Sequence, residues 1–279
     1  MRLGRNKVEK LEYTNWLNKL PNKLTSKDGK EIELWEFNYL ENDTVMSEWA
    51  KHFRNMYCDD NEIDFLKTPT QTRKEFLLDK KFPDSGRNGG KIRSGDFAEL
   101  LVADLLEYIE NYWVPRTRYD RKIRRNTSTF GCDVIAFKQT DPHTPLPSDE
   151  ILVVEVKAQF NQQPKVNIKP RLQDAVDDSK LDSIRRAESL QGIKTRLKDK
   201  GKLDLAKRIE RFQLISNLPC KEHYGAVACF TDNKYDETQI SKTDCSAYPN
   251  NKTLRLLVIK GKDMMDLVHS LYERAANEA

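Results

Sequence analysis

A glutamate and a lysine stand two residues apart in the apolar run at residues 151–157. Glu155 and Lys157 share one face of the predicted strand with Gln159, because successive strand side chains alternate between faces. The pattern alone has little specificity, since five Asp-x-Lys matches occur elsewhere in the chain. Only the Glu155 match lies inside an apolar strand, where paired charges are needed to offset desolvation. A simple ion pair and a metal-assisted catalytic site both remain open at this point.

Two further carboxylates precede this strand. Asp133 follows Gly131 and Cys132 at the start of another apolar run, where a short turn can direct it towards the neighbouring strand. Glu99 interrupts the second apolar stripe of a predicted helix, so it requires a partner in the core. A salt bridge to a nearby basic residue is the simpler alternative for Glu99.

A helix glutamate, a turn aspartate and a strand Glu-x-Lys together suit metal-assisted hydrolysis of a phosphodiester. Mg²⁺ takes oxygen ligands, and one or two protein carboxylates with phosphate oxygens and waters complete its octahedron. The metal polarises the phosphoryl group and lowers the pKa of a bound water. A lysine beside it can orient that water and offset the developing negative charge.

The arrangement of Asp133 with Glu155-Val156-Lys157 resembles the PD-(D/E)XK nuclease superfamily, although Cys132 replaces the proline of that motif. More narrowly, the chain resembles HamA, the nuclease subunit of Hachiman anti-phage systems. That narrower resemblance is carried by the runs at residues 93–101, 113–119, 131–133 and 155–159.

The resemblance implies a role for each matching residue. It gives Asp133, Glu155 and Lys157 the catalytic roles, makes Glu99 the accessory helix carboxylate, and leaves Gln159 as a polar neighbour. The implied metal ligands are Asp133, Glu155, Glu99 and the main-chain carbonyl of Val156, and the implied cofactor is Mg²⁺, with Mn²⁺ able to substitute. The implied partners are DNA and a separate ATP-driven helicase subunit. A separate ATPase agrees with residues 86–91, which lack the first glycine and the Ser or Thr of a P-loop.

A basic segment separates the predicted helix from the first strand of the site. Residues 115–126 contain six basic side chains and one acidic side chain. Arginine-rich segments suit sequence-independent phosphate contacts, so we expect DNA binding here, although a solvated loop is an equally good interpretation. The predicted DNA-binding residues are Arg116, Arg118, Arg121, Lys122, Arg124 and Arg125.

The surrounding pattern predicts an α/β (α+β) protein with a restriction-endonuclease-like core, in which helices flank a central mixed sheet. A Pro/Gly/Ser cluster at residues 83–90 suggests a boundary between a small α+β domain at 1–90, with partner binding as its candidate role, and a nuclease domain at 91–279. Within the second part we expect a helix from about Ser94, strands at 133–137 and 151–157, and two charged helices at 171–190 and 194–215. Strands at 225–230 and 254–259 and a helix at 262–276 follow.

The amino-acid composition narrows the class of protein but does not identify a function. The 279 residues carry 48 basic and 44 acidic side chains, giving a net charge of +4, and the surplus lies in the C-terminal part. No apolar run approaches the roughly 18 residues of a membrane span, and the start lacks a secretory signal, so we expect a cytoplasmic protein. The five scattered cysteines are expected to be reduced.

Two other functions agree with the same residues. The first is a stand-alone restriction endonuclease, which would yield discrete fragments. The second is a catalytically inactive scaffold that keeps a degenerate nuclease fold to hold DNA or a partner. Retention of Asp133, Glu155 and Lys157 argues against the scaffold.

Overall fold

One mixed six-stranded sheet organises the molecule. The computed structural model describes residues 10–120, 122–141, 144–161, 169–214, 219–249 and 251–279. The strand order is β1-β2-β6-β5-β4-β3, with β1 and β3 at the edges. The four central strands, β2, β6, β5 and β4, run parallel, and each edge strand is antiparallel to its neighbour. The strands are β1 (Leu17–Thr25), β2 (Glu31–Phe37), β3 (Val134–Lys138), β4 (Glu150–Gln159), β5 (Lys221–Thr231) and β6 (Leu254–Gly261).

Helices cover both faces of the sheet. The helices in the described ranges are α1 (Asp43–Tyr57), α2 (Asp60–Leu66), α3 (Arg73–Phe76), α4 (Arg87–Asp104), α5 (Arg171–Ser179), α6 (Asp182–Asp199), α7 (Leu203–Gln213), α8 (Glu237–Ser241) and α9 (Met264–Asn277). One face packs on α1, α4 and α9, and the other packs on α5, α6 and α7. The expected α/β architecture, a mixed sheet flanked by helices, is confirmed.

Alternation along β4 sends its side chains into two separate cores. Leu152 and Val154 join the core with α1, α4 and α9, whereas Ile151 and Val153 join the core with α5, α6 and α7. Both sets are apolar because the strand is buried on both faces. Glu155, two residues beyond Val153, therefore faces the α5–α7 layer.

The two parts that the sequence suggested as separate domains share this sheet and one core. β2 pairs with β6 along Ile32↔Leu256 to Phe37↔Gly261. Trp49 of α1 packs against Phe97 of α4, with ring centroids 5.7 Å apart. The boundary expected at residues 83–90 is therefore corrected, because strand pairing and core packing both cross it.

Two helix predictions also need correction. The helix expected from about Ser94 begins at Arg87, after Gly86, so the glycine-rich segment forms its first turns. The charged segment expected as two helices forms three, α5, α6 and α7, since the chain turns after Ser179 and again at Gly201, where φ is +69°. In the described ranges no helix has the length and apolar character needed to cross a bilayer.

Candidate functional site

The end of β4 and the start of β3 bring the predicted acids together. β3 and β4 pair through Val134↔Val154, and Asp133 stands immediately before β3. The main-chain N–H of Val156 donates to Asp133 Oδ2 at 2.9 Å. Because the N–H and C=O of a strand residue point to the same side, the Val156 carbonyl also faces the space beside Asp133. Asp133 and the Val156 main chain, both predicted metal ligands, are neighbours.

Lys157 is held by two carboxylates. Its Nζ lies 2.6 Å from Glu155 Oε1 and 2.7 Å from Asp178 Oδ2, at the end of α5. Burial alone would lower the pKa of Lys157, but these hydrogen bonds outweigh it and raise the pKa above its usual value. Lys157 therefore carries its proton at neutral pH. Gln159, on the same face, accepts from the Lys169 main-chain N–H at 3.1 Å.

Glu155 is buried and only partly paired. Oε1 accepts from Lys157, whereas Oε2 has no hydrogen-bond partner among the described residues. Burial, and then the charge of Asp133, raises the pKa of Glu155 to about 8, against the opposing effect of Lys157. In this conformation the contact with Lys157 only partly offsets the cost of burying the Glu155 carboxylate.

Glu99 reaches the site through an arginine. The Arg118 guanidinium lies between two acids, with Nε 2.7 Å from Glu99 Oε2 and Nη2 2.8 Å from Asp133 Oδ1. Tyr119 donates its hydroxyl hydrogen to the same Glu99 oxygen. Burial raises the pKa of Glu99 to about 8, and Arg118 opposes that shift. Arg118 thus supplies the positive charge between Glu99 and Asp133.

A further carboxylate, Asp182 in the first turn of α6, interacts with Asp133 through its charge, and the sequence predicted neither Asp182 nor Asp178 as part of the site. Asp182 is fully buried, and neither side-chain oxygen has a hydrogen-bond partner among the described residues. Burial, followed by the charge of Asp133, raises its pKa to about 7. Asp182 sits in a long charged segment, so no local pattern separates it from the solvated acids nearby.

The carboxylate oxygens of this site are of the type that binds a hard divalent cation, but they are not gathered around one position. Within the ranges that the structure describes, no three His, Cys, Asp or Glu side chains are close enough together to hold a metal ion. The fit is chemical: Glu155 and Asp182 present buried carboxylate oxygens without partners, and such oxygens are the ligands that Mg²⁺ prefers. Of the predicted ligands, Asp133 contacts the Val156 main chain and interacts with Glu155 through its charge.

The basic segment is mostly directed inward, which corrects part of the predicted DNA-binding set. Arg116 contacts Asp104 and Glu107 at 2.5 and 2.7 Å. Arg118 bridges the acids described above. Lys122 is buried and lies 2.6 Å from Asp96. These three side chains offset internal charge, so they do not face phosphates in this conformation.

The remaining members of that set are placed differently. Arg125 is partly buried and donates to the Leu78 carbonyl. Arg124 is exposed to solvent. Arg121 lies outside the described residues. Among the described members of the set, Arg124 is therefore the one whose exposed side chain is accessible to a phosphate.

A cleft of about 230 Å³ opens beside Asp133. Residues from α4, from the 114–119 segment, from the start of β3 and from α6 line it. Its walls are partly apolar, through Leu100, Val114 and Ile193, and Arg196 adds a positive charge. The cleft gives Asp133 an opening towards solvent on the β3 side.

Comparison with known proteins identifies the family. No protein of curated function matches the sequence. A family model described as HamA matches residues 12–275, which include all six strands and every predicted site residue. Because this match covers nearly the whole chain, the protein belongs to the HamA family.

Proposed function

We propose that the chain is a Mg²⁺-dependent DNA endonuclease that hydrolyses phosphodiester bonds, with Mn²⁺ able to substitute. The observation that carries the proposal is the meeting of Asp133, Glu155 and Lys157 at adjacent ends of β3 and β4. Asp133, Glu155 and the Val156 carbonyl would hold the cation. When bound, the cation supplies Lewis-acid polarisation of the phosphodiester.

The charge state of Lys157 defines its part in the proposed reaction. Its raised pKa keeps the ammonium protonated at neutral pH, so it cannot act as a general base. A protonated lysine can instead orient a water through its N–H donors and offset negative charge on the phosphate. Glu155 and Asp178 fix the position of its Nζ.

The proposed setting is an anti-phage defence complex of the Hachiman type. HamA membership supports a defence role, and the resemblance noted above implies a partner helicase that consumes ATP. The chain would then act as the nuclease subunit, and the helicase would deliver it to DNA. Mixing the two purified subunits and measuring complex mass by light scattering tests the partnership.

A plasmid cleavage assay tests the nuclease proposal. Combined Glu155→Gln and Lys157→Met substitutions should abolish Mg²⁺-dependent cleavage and leave the circular dichroism spectrum unchanged. Glu150→Gln, in the first position of the same strand, is the matched control and should keep full activity. Reactions with EDTA report cleavage that does not depend on metal. Full cleavage by the double variant would contradict the assignment of Glu155 and Lys157 as catalytic residues. Discrete fragments from the wild-type protein would favour a stand-alone restriction endonuclease.

An inactive scaffold is the second candidate, and one observation favours it. Arg118 occupies the space between Glu99 and Asp133, and the described residues contain no assembled metal cage. A scaffold of this kind would bind DNA or the helicase without cutting. Lack of Mg²⁺- or Mn²⁺-dependent cleavage by the wild-type complex, together with intact complex formation, would support it.

A further inference from the structure

The cleft beside Asp133 has an apolar interior and a polar mouth. Side chains that are almost fully buried form the interior, among them Leu100, Ala103, Val114 and Ile135. Three further lining residues are wholly or partly exposed to solvent and therefore stand at the mouth: Phe130, Glu188 and Arg196. The cleft can thus take a group that is apolar on its buried side and charged on its outer side.

The positive charges that line the interior are already used. Arg116 and Arg118 are each paired with two acids. Arg196 is at the mouth and forms no ion pair with another described residue. Glu188, the acid at the mouth, lies about 12 Å earlier along the axis of α6. Because a buried anion needs a free cation, the interior suits a neutral group, whereas Arg196 can hold an anion at the mouth.

Phe130 presents an aromatic ring at the edge of this mouth. The side chain is fully exposed, although phenylalanine is usually buried. Gly131 follows it with a φ of +97°, and a Cβ there would lie 2.7 Å from Ser189 Oγ of α6. The Cys132 main-chain N–H donates to the same oxygen at 3.0 Å. These contacts fix the chain next to Phe130 against α6, and the ring remains free to stack on a ligand.

The size and chemistry of the cleft fit one nucleotide. Its volume of about 230 Å³ lies below the roughly 300–1,000 Å³ of pockets for drug-sized ligands, so a single planar ring system fits better than a longer ligand. A nucleobase is neutral, stacks on aromatic side chains through its apolar faces, and is joined through its sugar to a phosphate. The apolar interior, the ring of Phe130 and the unpaired Arg196 match these three properties in turn.

We propose that the cleft binds one unstacked nucleotide of a DNA strand, with the base inside the cleft beside Phe130 and the phosphate at Arg196. The inference rests on the proposed function and names its substrate class, which is DNA whose bases are already unpaired. Extruding a base from a duplex carries a cost of unpairing and unstacking that a single strand avoids. Asp133 lines the same cleft, so the bound nucleotide lies next to a carboxylate of the proposed site.

Fluorescence anisotropy on the full-length protein in EDTA measures DNA binding without cleavage. Two labelled single strands of equal length are the probes: oligothymidylate, and an abasic strand that has the same phosphates but no bases. We expect Phe130→Ala to weaken binding of oligothymidylate about fivefold to hundredfold and to leave binding of the abasic strand unchanged. Phe65→Ala, which removes an exposed phenylalanine of α2, is the matched control and should bind both strands as wild type does.

Two more variants test the interior and the mouth separately. Gly192 of α6 lines the cleft, and a Cβ there would meet nothing within 4 Å. Gly192→Leu should therefore fill the cleft and reduce binding of oligothymidylate to that of the abasic strand, while the better helix propensity of leucine preserves the fold. Arg196→Gln should weaken binding of both strands and reduce the salt slope by about 0.7. Lys198→Gln, an exposed lysine of the same helix, is its control.

The outcomes distinguish this inference from the proposed function. If wild type cleaves plasmid with Mg²⁺ but Phe130→Ala and Gly192→Leu bind oligothymidylate normally, only the inference is overturned. If wild type binds neither single-stranded nor duplex DNA, both fail. Binding of dAMP that Phe130→Ala abolishes, with strand binding unchanged, would assign the cleft to a free nucleotide and contradict the inference. Loss of the helicase complex in Phe130→Ala, with normal DNA binding, would assign the cleft to a protein partner and also contradict it.

Discussion

Asp104 connects the two halves of the chain and allows a quantitative test of how they depend on each other. It is buried at the end of α4, where Tyr13 and His52 from the first half donate to it. Arg116, from the second half, lies 2.5 Å away and also contacts Glu107. Arg116 adopts a φ of +50°, a rare backbone conformation for a residue other than glycine.

The pKa of Asp104 sets the size of the effect. Burial alone would raise it, but the charge of Arg116, followed by His52 and the hydrogen bonds, lowers it from 3.8 to about 2. A shift of about two units corresponds to roughly 2.5 kcal/mol. Because the folded-state pKa is depressed, this stability is present above the unfolded-state pKa and is lost as the pH falls through about 2.

We therefore expect Asp104→Asn to lower the free energy of unfolding by about 2 to 4 kcal/mol at neutral pH, because the change also leaves Arg116 less compensated. Urea denaturation of metal-free protein measures the loss, with Asp204→Asn as the exposed control. The difference in unfolding free energy between wild type and variant should decrease as the pH falls from about 5 towards 2. A gap below about 0.5 kcal/mol, or one that does not change with pH, would refute the reasoning.

Three shorter predictions concern the site and its support. Arg118→Met should lower the metal-free unfolding free energy by about 3 to 5 kcal/mol, because two partly buried acids lose their cation; equal stability would contradict the bridge. Gly131→Ala should destabilise the protein by more than about 1 kcal/mol, whereas Gly95→Ala, with open space in α4, should stabilise it by up to about 1 kcal/mol, both measured by urea denaturation. Arg124→Ala should weaken DNA binding and reduce the salt slope by about one in a fluorescence titration; an unchanged slope would remove Arg124 from the interface.

Local patterns predicted the strands of the site because burial on both faces leaves a continuous apolar run. The runs at 133–137 and 151–157 correspond to β3 and β4 within a few residues. The same patterns could not reveal that Arg118 binds two acids, because its partners lie on α4 and before β3. Asp182 was missed for a similar reason, since its burial depends on how α6 packs against Cys132.

The separate N-terminal domain was predicted from a local cue that tertiary pairing overrides. Glycine and proline at residues 83–90 do mark a turn, but the chain continues directly into α4. Pairing between β2 and β6 brings together positions at opposite ends of the sequence, which no local window can detect. The neutral first part and basic second part differ in charge and still form one core.

The parallel pairing of β2 with β6 has a consequence for synthesis. Ile32 of β2 pairs with Leu256 of β6, so the hairpin of β1 and β2 cannot join the rest of the sheet until residues 254–261 have been synthesised. Contacts this distant in sequence slow folding, because the intervening chain must be ordered first. A ribosome-bound chain that already contains Asp133, Glu155 and Lys157 thus still lacks β6, the strand that joins the two halves, and the six-stranded sheet is completed only after β6 has emerged from the ribosome.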